Sequence, residues 1–345
     1  MSRSKNLKFH SQQQFQSFNG TLFPELVLSY EVFGPALEEK KPVVLVCHAL
    51  TGNSTITGEK GWWNDLIGED RLISLSKFTV IGINIPGNGY HSDEKATYAQ
   101  YRNLNVRDIA KLFVNLLREI GVSQLFVAIG GSLGGGICWE IAATFPDFVQ
   151  TIIPVATDWK ATDWVLAHNK VQEQILIHSS DPLHDARMMA MMFYRTPESL
   201  KMKFDRSINP SNGLFNIETW LLRHGEKLRN RFNLDAYLLM THYLSSLDIG
   251  KDRGGFQQVV SLIKARVIMI GVDSDLFFQP AENKDTVAVM KQNGCDASYR
   301  EIVSIHGHDS FLIEFGQLTN LLQDVFHESD QLEKSEYSNY CESIL

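Results

Sequence analysis

The stretch Leu125-Phe126-Val127-Ala128-Ile129-Gly130-Gly131-Ser132-Leu133-Gly134-Gly135-Gly136 decides how the rest of the chain reads. Residues 125–129 form a short apolar run of the kind that makes a strand covered on both faces. The next five residues, Gly130 to Gly134, fit G-x-S-x-G, the nucleophile elbow, and a helix is expected to begin near Gly135. The physics accounts for the glycines. A serine on a sharp strand-to-helix turn holds a strained backbone, and the residues two before and two after it come so close that a Cβ would clash. The pattern also fits an ordinary glycine-rich turn, so its neighbours must decide.

Those neighbours alternate between short apolar runs and helical patterns. The runs lie at residues 42–47 (PVVLVC), 78–83 (FTVIGI), 151–155 (TIIPV) and 265–270 (ARVIMI). Residues 105–120 place Val106, Ile109, Leu112, Phe113, Leu116, Leu117 and Ile120 on one helical face, and residues 136–145 read as a second helix. This alternation predicts an α/β sheet with right-handed crossovers. Residues 22–32 read as antiparallel hairpin strands leading into it. Between about Asp158 and Gly250 no clear strand occurs. Amphipathic patterns at 164–177, 185–194, 215–230 and 236–247 predict a helical insertion there.

The chain has 345 residues, which at about 150 per domain leaves two domains against one domain with an insertion. The insertion reading is preferred, because the sheet segments on either side supply one set of chemical residues between them. The expected organisation is a core at 1–157 and 251–327, a helical lid at 158–250, and a polar tail at 328–345. Apolar residues at 44% and charged residues at 21% are those of a globular chain. The net charge of −8 argues against a bulk electrostatic grip on nucleic acid or anionic lipid. The polar, basic first 14 residues lack the apolar stretch of a secretory signal, and no window reaches 18 apolar residues, so no membrane span is expected. The four cysteines, Cys47, Cys138, Cys295 and Cys341, have no metal-site spacing. Reduced thiols and a cytoplasmic compartment are expected.

A serine hydroxyl needs a histidine to take its proton and an acid to hold that histidine, in the chain order Ser, acid, His for this kind of elbow. Asp273 and Asp275 follow the strand at 265–270, where the acid belongs. His306 and His308 follow a last strand expected at 298–302 and precede a helix expected from Phe311. Either Asp could instead cap a helix, and either His could sit in a surface loop. The oxyanion needs two backbone N–H groups. Leu133 follows the nucleophile, and Leu50 lies in the loop His48-Ala49-Leu50-Thr51-Gly52 after the strand at 42–47. His48 precedes the serine in the chain, so it reads as structural or loop-orienting.

These blocks resemble the homoserine O-acetyltransferase family over about Pro42 to Phe315. His48-Ala49-Leu50-Thr51-Gly52-Asn53 is similar to its oxyanion loop, and Gly61-Trp62-Trp63-Asn64-Asp65-Leu66-Ile67-Gly68 to its W-W-x-x-x-I-G block. The elbow is similar to G-G-S-M-G-G, with Leu133 in place of Met. Val272-Asp273-Ser274-Asp275-Leu276-Phe277 is similar to S-D-x-L-F, without the intervening residue, and Gly307-His308-Asp309-Ser310-Phe311-Leu312 matches G-H-D-x-F-L. The resemblance selects Asp275 and His308. Ala186 to Tyr194 is similar to the family's block that opens A-R-M and ends on Tyr, which implies that Arg187 and Tyr194 bind substrate. An arginine fork suits the carboxylate of an amino acid, and Asp309 suits its ammonium.

The resemblance implies an α/β-hydrolase fold, with a mostly parallel central sheet flanked by helices and carrying a helical lid. It implies ping-pong acyl transfer from acetyl-CoA to L-homoserine in methionine biosynthesis, through an acyl-serine on Ser132. No permanently bound cofactor and no metal are implied; acetyl-CoA, or succinyl-CoA, is a co-substrate. A serine-directed acyltransferase and an esterase of the same fold are the alternatives. Small-molecule substrates are the expected partners, with a homodimer through apolar faces of the lid. The chain departs from the family after Asn84-Ile85-Pro86-Gly87, where an extended insertion is missing, and after Tyr194, where it is shorter.

Overall fold

The computed structural model describes residues 7–90 and 98–327. Eight strands form one sheet: β1 (Lys8–Gln16), β2 (Leu22–Phe33), β3 (Val43–Cys47), β4 (Thr79–Ile83), β5 (Leu125–Gly131), β6 (Val149–Val155), β7 (Arg266–Val272) and β8 (Ala297–Ile302). Their spatial order is β1-β2-β4-β3-β5-β6-β7-β8. β2 runs antiparallel to both of its neighbours, and β3 to β8 pair in parallel.

The strands read as apolar throughout because both faces of the sheet are covered. Leu45, Ala128, Ile152 and Val267 are successive ladder partners and enter one core. One residue on, Val46, Ile129 and Ile153 enter the other. The first core is closed by α1 (Val106–Glu119) and α2 (Leu133–Thr144). Asn105 caps α1: its side chain accepts from Asp108 N (3.0 Å) and the Asp108 carboxylate accepts from Asn105 N (3.0 Å). Asp108 also accepts from Phe18 N (2.8 Å), which ties the β1–β2 turn to that helix.

Five helices lie between β6 and Asp248: α3 (Asp163–His178), α4 (Pro182–Tyr194), α5 (Pro197–Phe204), α6 (Asn216–Arg229) and α7 (Leu234–Ser245). The chain enters and leaves this segment at one place. Lys160 bridges Asp248, Ala161 N donates to Leu247 O (2.8 Å), and Ile249 N donates to Trp159 O (3.2 Å). α8 (Pro280–Gln292) joins the first core, and α9 (Phe315–His327) covers the second beside Trp63, Phe78 and Phe311. No helix among the described residues is long and apolar enough to cross a membrane.

Four expectations are corrected. Residues 22–32 are one strand, not a hairpin; the partner is β1, in the polar N-terminal stretch. β1 is an edge strand with mostly exposed side chains, so no apolar alternation marks it. The second helix begins at Leu133, because Ser132 itself is its cap and the glycines after it already lie on the helix. The helix expected from Phe311 is a 3₁₀ turn, Gly307–Leu312, followed by α9. α5 gave no periodic signal because it is short and mostly exposed. The tail at 328–345 lies outside the described residues.

Trp63 is fully buried in the second core, and its Nε1–H donates to Phe311 O (3.2 Å) in the 3₁₀ turn that carries His308. Trp63→Ala is expected to cost about 3–5 kcal/mol in urea unfolding, by cavity formation and an orphaned carbonyl. A loss below about 1 kcal/mol would show that this contact does not anchor the turn.

Candidate active site

The site begins at the end of β5. Ser132 N donates to Val155 O (2.9 Å), which ties the residue to β6, and the backbone then turns at φ 55°, ψ −122° before entering α2. That conformation is costly for any residue with a Cβ and persists only where the surroundings enforce it. The enforcement is steric. A Cβ on Gly130 would strike the Gly134 backbone, and one on Gly134 would fall inside the carbonyl oxygen of Cys47. The predicted clash of residues two before and two after the serine is therefore present, with the end of β3 as a third party. Among the described residues, Ser132 Oγ makes no hydrogen bond to the protein, to His308 or otherwise.

His308 and Asp275 are brought together. His308 Nδ1–H donates to Asp275 Oδ2 (2.8 Å), and both side chains are almost wholly buried. The other carboxylate oxygen of Asp275 accepts from Phe277 N (2.7 Å) and Phe278 N (3.0 Å), so the acid is fixed before it meets the imidazole. This leaves His308 Nε2 as the nitrogen able to face a nucleophile. Rings of Tyr194, Phe277, Phe278 and Phe311 surround it, with centroids 5.1–5.9 Å away.

The two rival residues have other work. Asp273 is exposed and accepts from Ser304 N (2.9 Å), which braces the loop after β8. His306 Nδ1 lies 2.9 Å from both Arg195 Nη2 and Ser199 Oγ, and Arg195 also donates to Ser199 Oγ (2.7 Å). This knot, with Thr196 Oγ1 donating to Ile305 O (2.5 Å), fastens the α4–α5 junction to the loop that carries His308. Arg195, Thr196 and Ser199 were missed in the sequence. Their side chains act through contacts far apart in the chain, and no motif marks them.

The Leu50 loop is held from beneath by a buried polar network. His48 Nδ1–H donates to Ala49 O (2.8 Å), and its Nε2 accepts from Ile85 N (3.0 Å) and lies 3.2 Å from Asn88 Nδ2. Asn88 and Ser54 N both donate to Asn84 Oδ1, and Ser54 Oγ and Thr55 Oγ1 both donate to Glu31 Oε2 (2.7 Å each) on β2. His48 is thus loop-orienting, as predicted. Among the described residues, neither the Leu50 nor the Leu133 backbone N–H is taken up by a protein acceptor.

Arg187 and Tyr194 share one face of α4, with the guanidinium carbon 5.8 Å from the Tyr194 ring centre. Arg187 has no carboxylate partner among the described residues, so it is not the surface ion pair that an isolated helical arginine suggests. Asp309 follows His308 on the 3₁₀ turn and is likewise unpaired among the described residues. Burial pushes its carboxyl above the ordinary range, while the positive charges of Arg187, His308 and Arg195 pull it back. The Tyr194 hydroxyl is pushed up by burial and makes no hydrogen bond among the described residues. One cation, one anion and one phenol therefore converge beside His308 with their polar atoms uncommitted.

The imidazole of His48 titrates down to about 4, because burial disfavours its charged form more than the Ala49 carbonyl favours it. The sign of the linkage follows. Above pH 6.5 folded and unfolded chains both carry a neutral His48. Between 6.5 and about 4 the unfolded chain takes a proton that the folded chain refuses, so stability falls as pH falls. This site alone costs on the order of 3 kcal/mol across that window. Unfolding free energies at pH 7 and pH 5 are expected to drop less steeply on acidification in His48→Gln than in the unsubstituted chain. Parallel drops would remove the assignment.

A family profile for the alpha/beta hydrolase fold matches residues 42–314. A homoserine O-acetyltransferase of Cyclobacterium marinum is 32% identical over 342 residues, covering 93% of this chain and 95% of the relative. Among solved structures, homoserine O-acetyltransferase from Bacillus anthracis superposes with a TM-score of 0.83 at 18% identity, over 94% of this chain and 98% of that one. Esterase E22 superposes with a TM-score of 0.82 at 17% identity, over 93% and 99%. These two structures show the shared fold, and the sequence relative shows the kinship: the chain belongs to the homoserine O-acetyltransferase family of α/β-hydrolase-fold proteins.

Proposed function

We propose that the protein transfers an acetyl group from acetyl-CoA to the hydroxyl of L-homoserine by way of an acyl-serine. The observation that carries this reading is the pair Arg187 and Asp309, opposite charges near Tyr194 and His308 that have no salt-bridge partner among the described residues. A zwitterionic amino acid supplies the two missing partners at once: its carboxylate meets the guanidinium fork and its ammonium meets Asp309. An ordinary ester substrate would leave both charges unmatched.

In the first half-reaction Ser132 Oγ attacks the thioester carbonyl while His308 Nε2 takes the hydroxyl proton. Asp275 stabilises the resulting imidazolium through Nδ1. The oxyanion sits between the N–H groups of Leu50 and Leu133, and the first turn of α2 favours the same charge. The C–S bond breaks, the thiolate takes the proton from His308, and CoA leaves as its thiol. In the second half-reaction the homoserine hydroxyl gives its proton to His308 and attacks the acyl-serine carbonyl. The ester C–O bond to Ser132 breaks, and Ser132 recovers the proton. The aromatic shell around His308 and the helices above it disfavour water as the competing acceptor.

Release of free thiol from acetyl-CoA, with and without homoserine, tests this. Homoserine is expected to raise the steady rate and to leave as its acetyl ester; a rate indifferent to homoserine makes the protein a hydrolase, and use of succinyl-CoA alone changes the donor. Ser132→Ala is expected to lose at least about 10³-fold in kcat. Arg187→Ala is expected to raise KM for homoserine about 10- to 100-fold while keeping the first burst of thiol. Loss of that burst would contradict the role given to Arg187.

A further inference from the structure

The net charge of the chain is −8, yet residues 182–231 hold nine lysines and arginines against five acids. The structure gathers part of this excess around one indole. Lys203 Nζ lies 5.4 Å from the Trp220 ring centre and Arg195 6.0 Å from it, while the His224 ring packs against the indole at 4.3 Å. Lys203 and Lys227 are exposed, and neither has a carboxylate partner among the described residues. Arg195 is only 8% exposed, also has no carboxylate partner among the described residues, and its Nε has no hydrogen-bond partner. Burial, and then the charges of Arg187, Lys227, Lys203 and Arg195, push the His224 imidazole down to about 4. It is neutral at ordinary pH and does not add to the cluster. Like charges held together with no carboxylate in direct contact raise the local potential, and that is the arrangement that collects an anionic ligand.

We propose that the face formed by Arg195, Lys203, Trp220 and Lys227 docks the phosphate-bearing part of the acyl donor, a polyanionic thioester carrier. This rests on the acyl-transfer reading above. The position fits, because Arg195 Nη2 is 2.9 Å from His306 Nδ1, two residues before His308, so the charged face continues directly into the site. Lys203 and Lys227 meet the phosphates at the surface, and Arg195 contributes its field from beneath. The rest of the chain, more acidic than the whole, repels a polyanion everywhere else and so narrows its approach to this face.

The test compares acetyl-CoA with S-acetyl-N-acetylcysteamine, which carries the same acetyl thioester and no phosphate. Each is assayed with homoserine at low and high salt. In the double variant Lys203→Glu, Lys227→Glu, the ratio of kcat/KM for acetyl-CoA to that for the neutral thioester is expected to fall about tenfold or more, through KM, and the salt sensitivity of the acetyl-CoA reaction to shrink. An unchanged ratio overturns the proposal. If neither thioester is a donor, the acyl-transfer reading fails, and calorimetric titration with CoA decides the docking face by itself. Binding weakened in the double variant upholds the face; no binding, or equal binding in both proteins, removes it.

Discussion

The close approach of three backbone segments at the end of β5 is the constraint on which the rest depends. Gly130, Gly134 and the Cys47 carbonyl occupy space that admits no side chain. That crowding holds Ser132 at a positive φ and starts α2 directly beneath it. It also sets the distance between the end of β3 and the elbow. Leu50 and Leu133 stand at the two sides of that distance, so the turn that raises the serine also spaces the two N–H groups. A single steric fact in the sheet thus becomes a geometric relation between Ser132 and the two N–H groups to which the proposed mechanism assigns the oxyanion.

Charge is organised at three ranges around that point. Asp275 is fixed by two backbone donors and touches His308 directly, which sets the imidazole's orientation. Arg187 and Asp309 stand farther out, unpaired, and act as a matched pair of opposite sign. Farther still, lysines and arginines on α5 and α6 make a positive face on an acidic protein. On the proposed reading, inner contacts orient, middle ones select by shape and sign, and outer ones act through the field, where salt screening is strongest.

Much of this was legible in the sequence, and the reason differs by element. β3 to β7 announced themselves because strands buried on both faces must be apolar at every position. The elbow glycines announced themselves because no other residue fits there. β1 was silent, since an edge strand may be polar and still pair through its backbone. From the residues alone the acid and the histidine each remained a choice of two, and burial separates them: Asp275 is enclosed and Asp273 exposed. The Glu31-to-His48 network and the Arg195–Ser199–His306 knot stayed unread, because the hydrogen bonds that join their distant parts span 23 to 111 positions and leave no periodic trace.

The bridge between Lys160 and Asp248 has a wider meaning for how such a protein can change. It holds the two ends of a long helical excursion side by side on the sheet. Exposed stretches between those ends can change in length without parting β6 from β7, whereas the buried helices of the excursion share the first core with the sheet and must keep that packing. Ser132, Asp275 and His308 stand outside the excursion, and Arg187, Tyr194 and the lysines stand within it. On the proposed reading, the residues of the chemical step thus belong to the sheet and those of recognition to the excursion, with one short antiparallel seam where the chain passes between them.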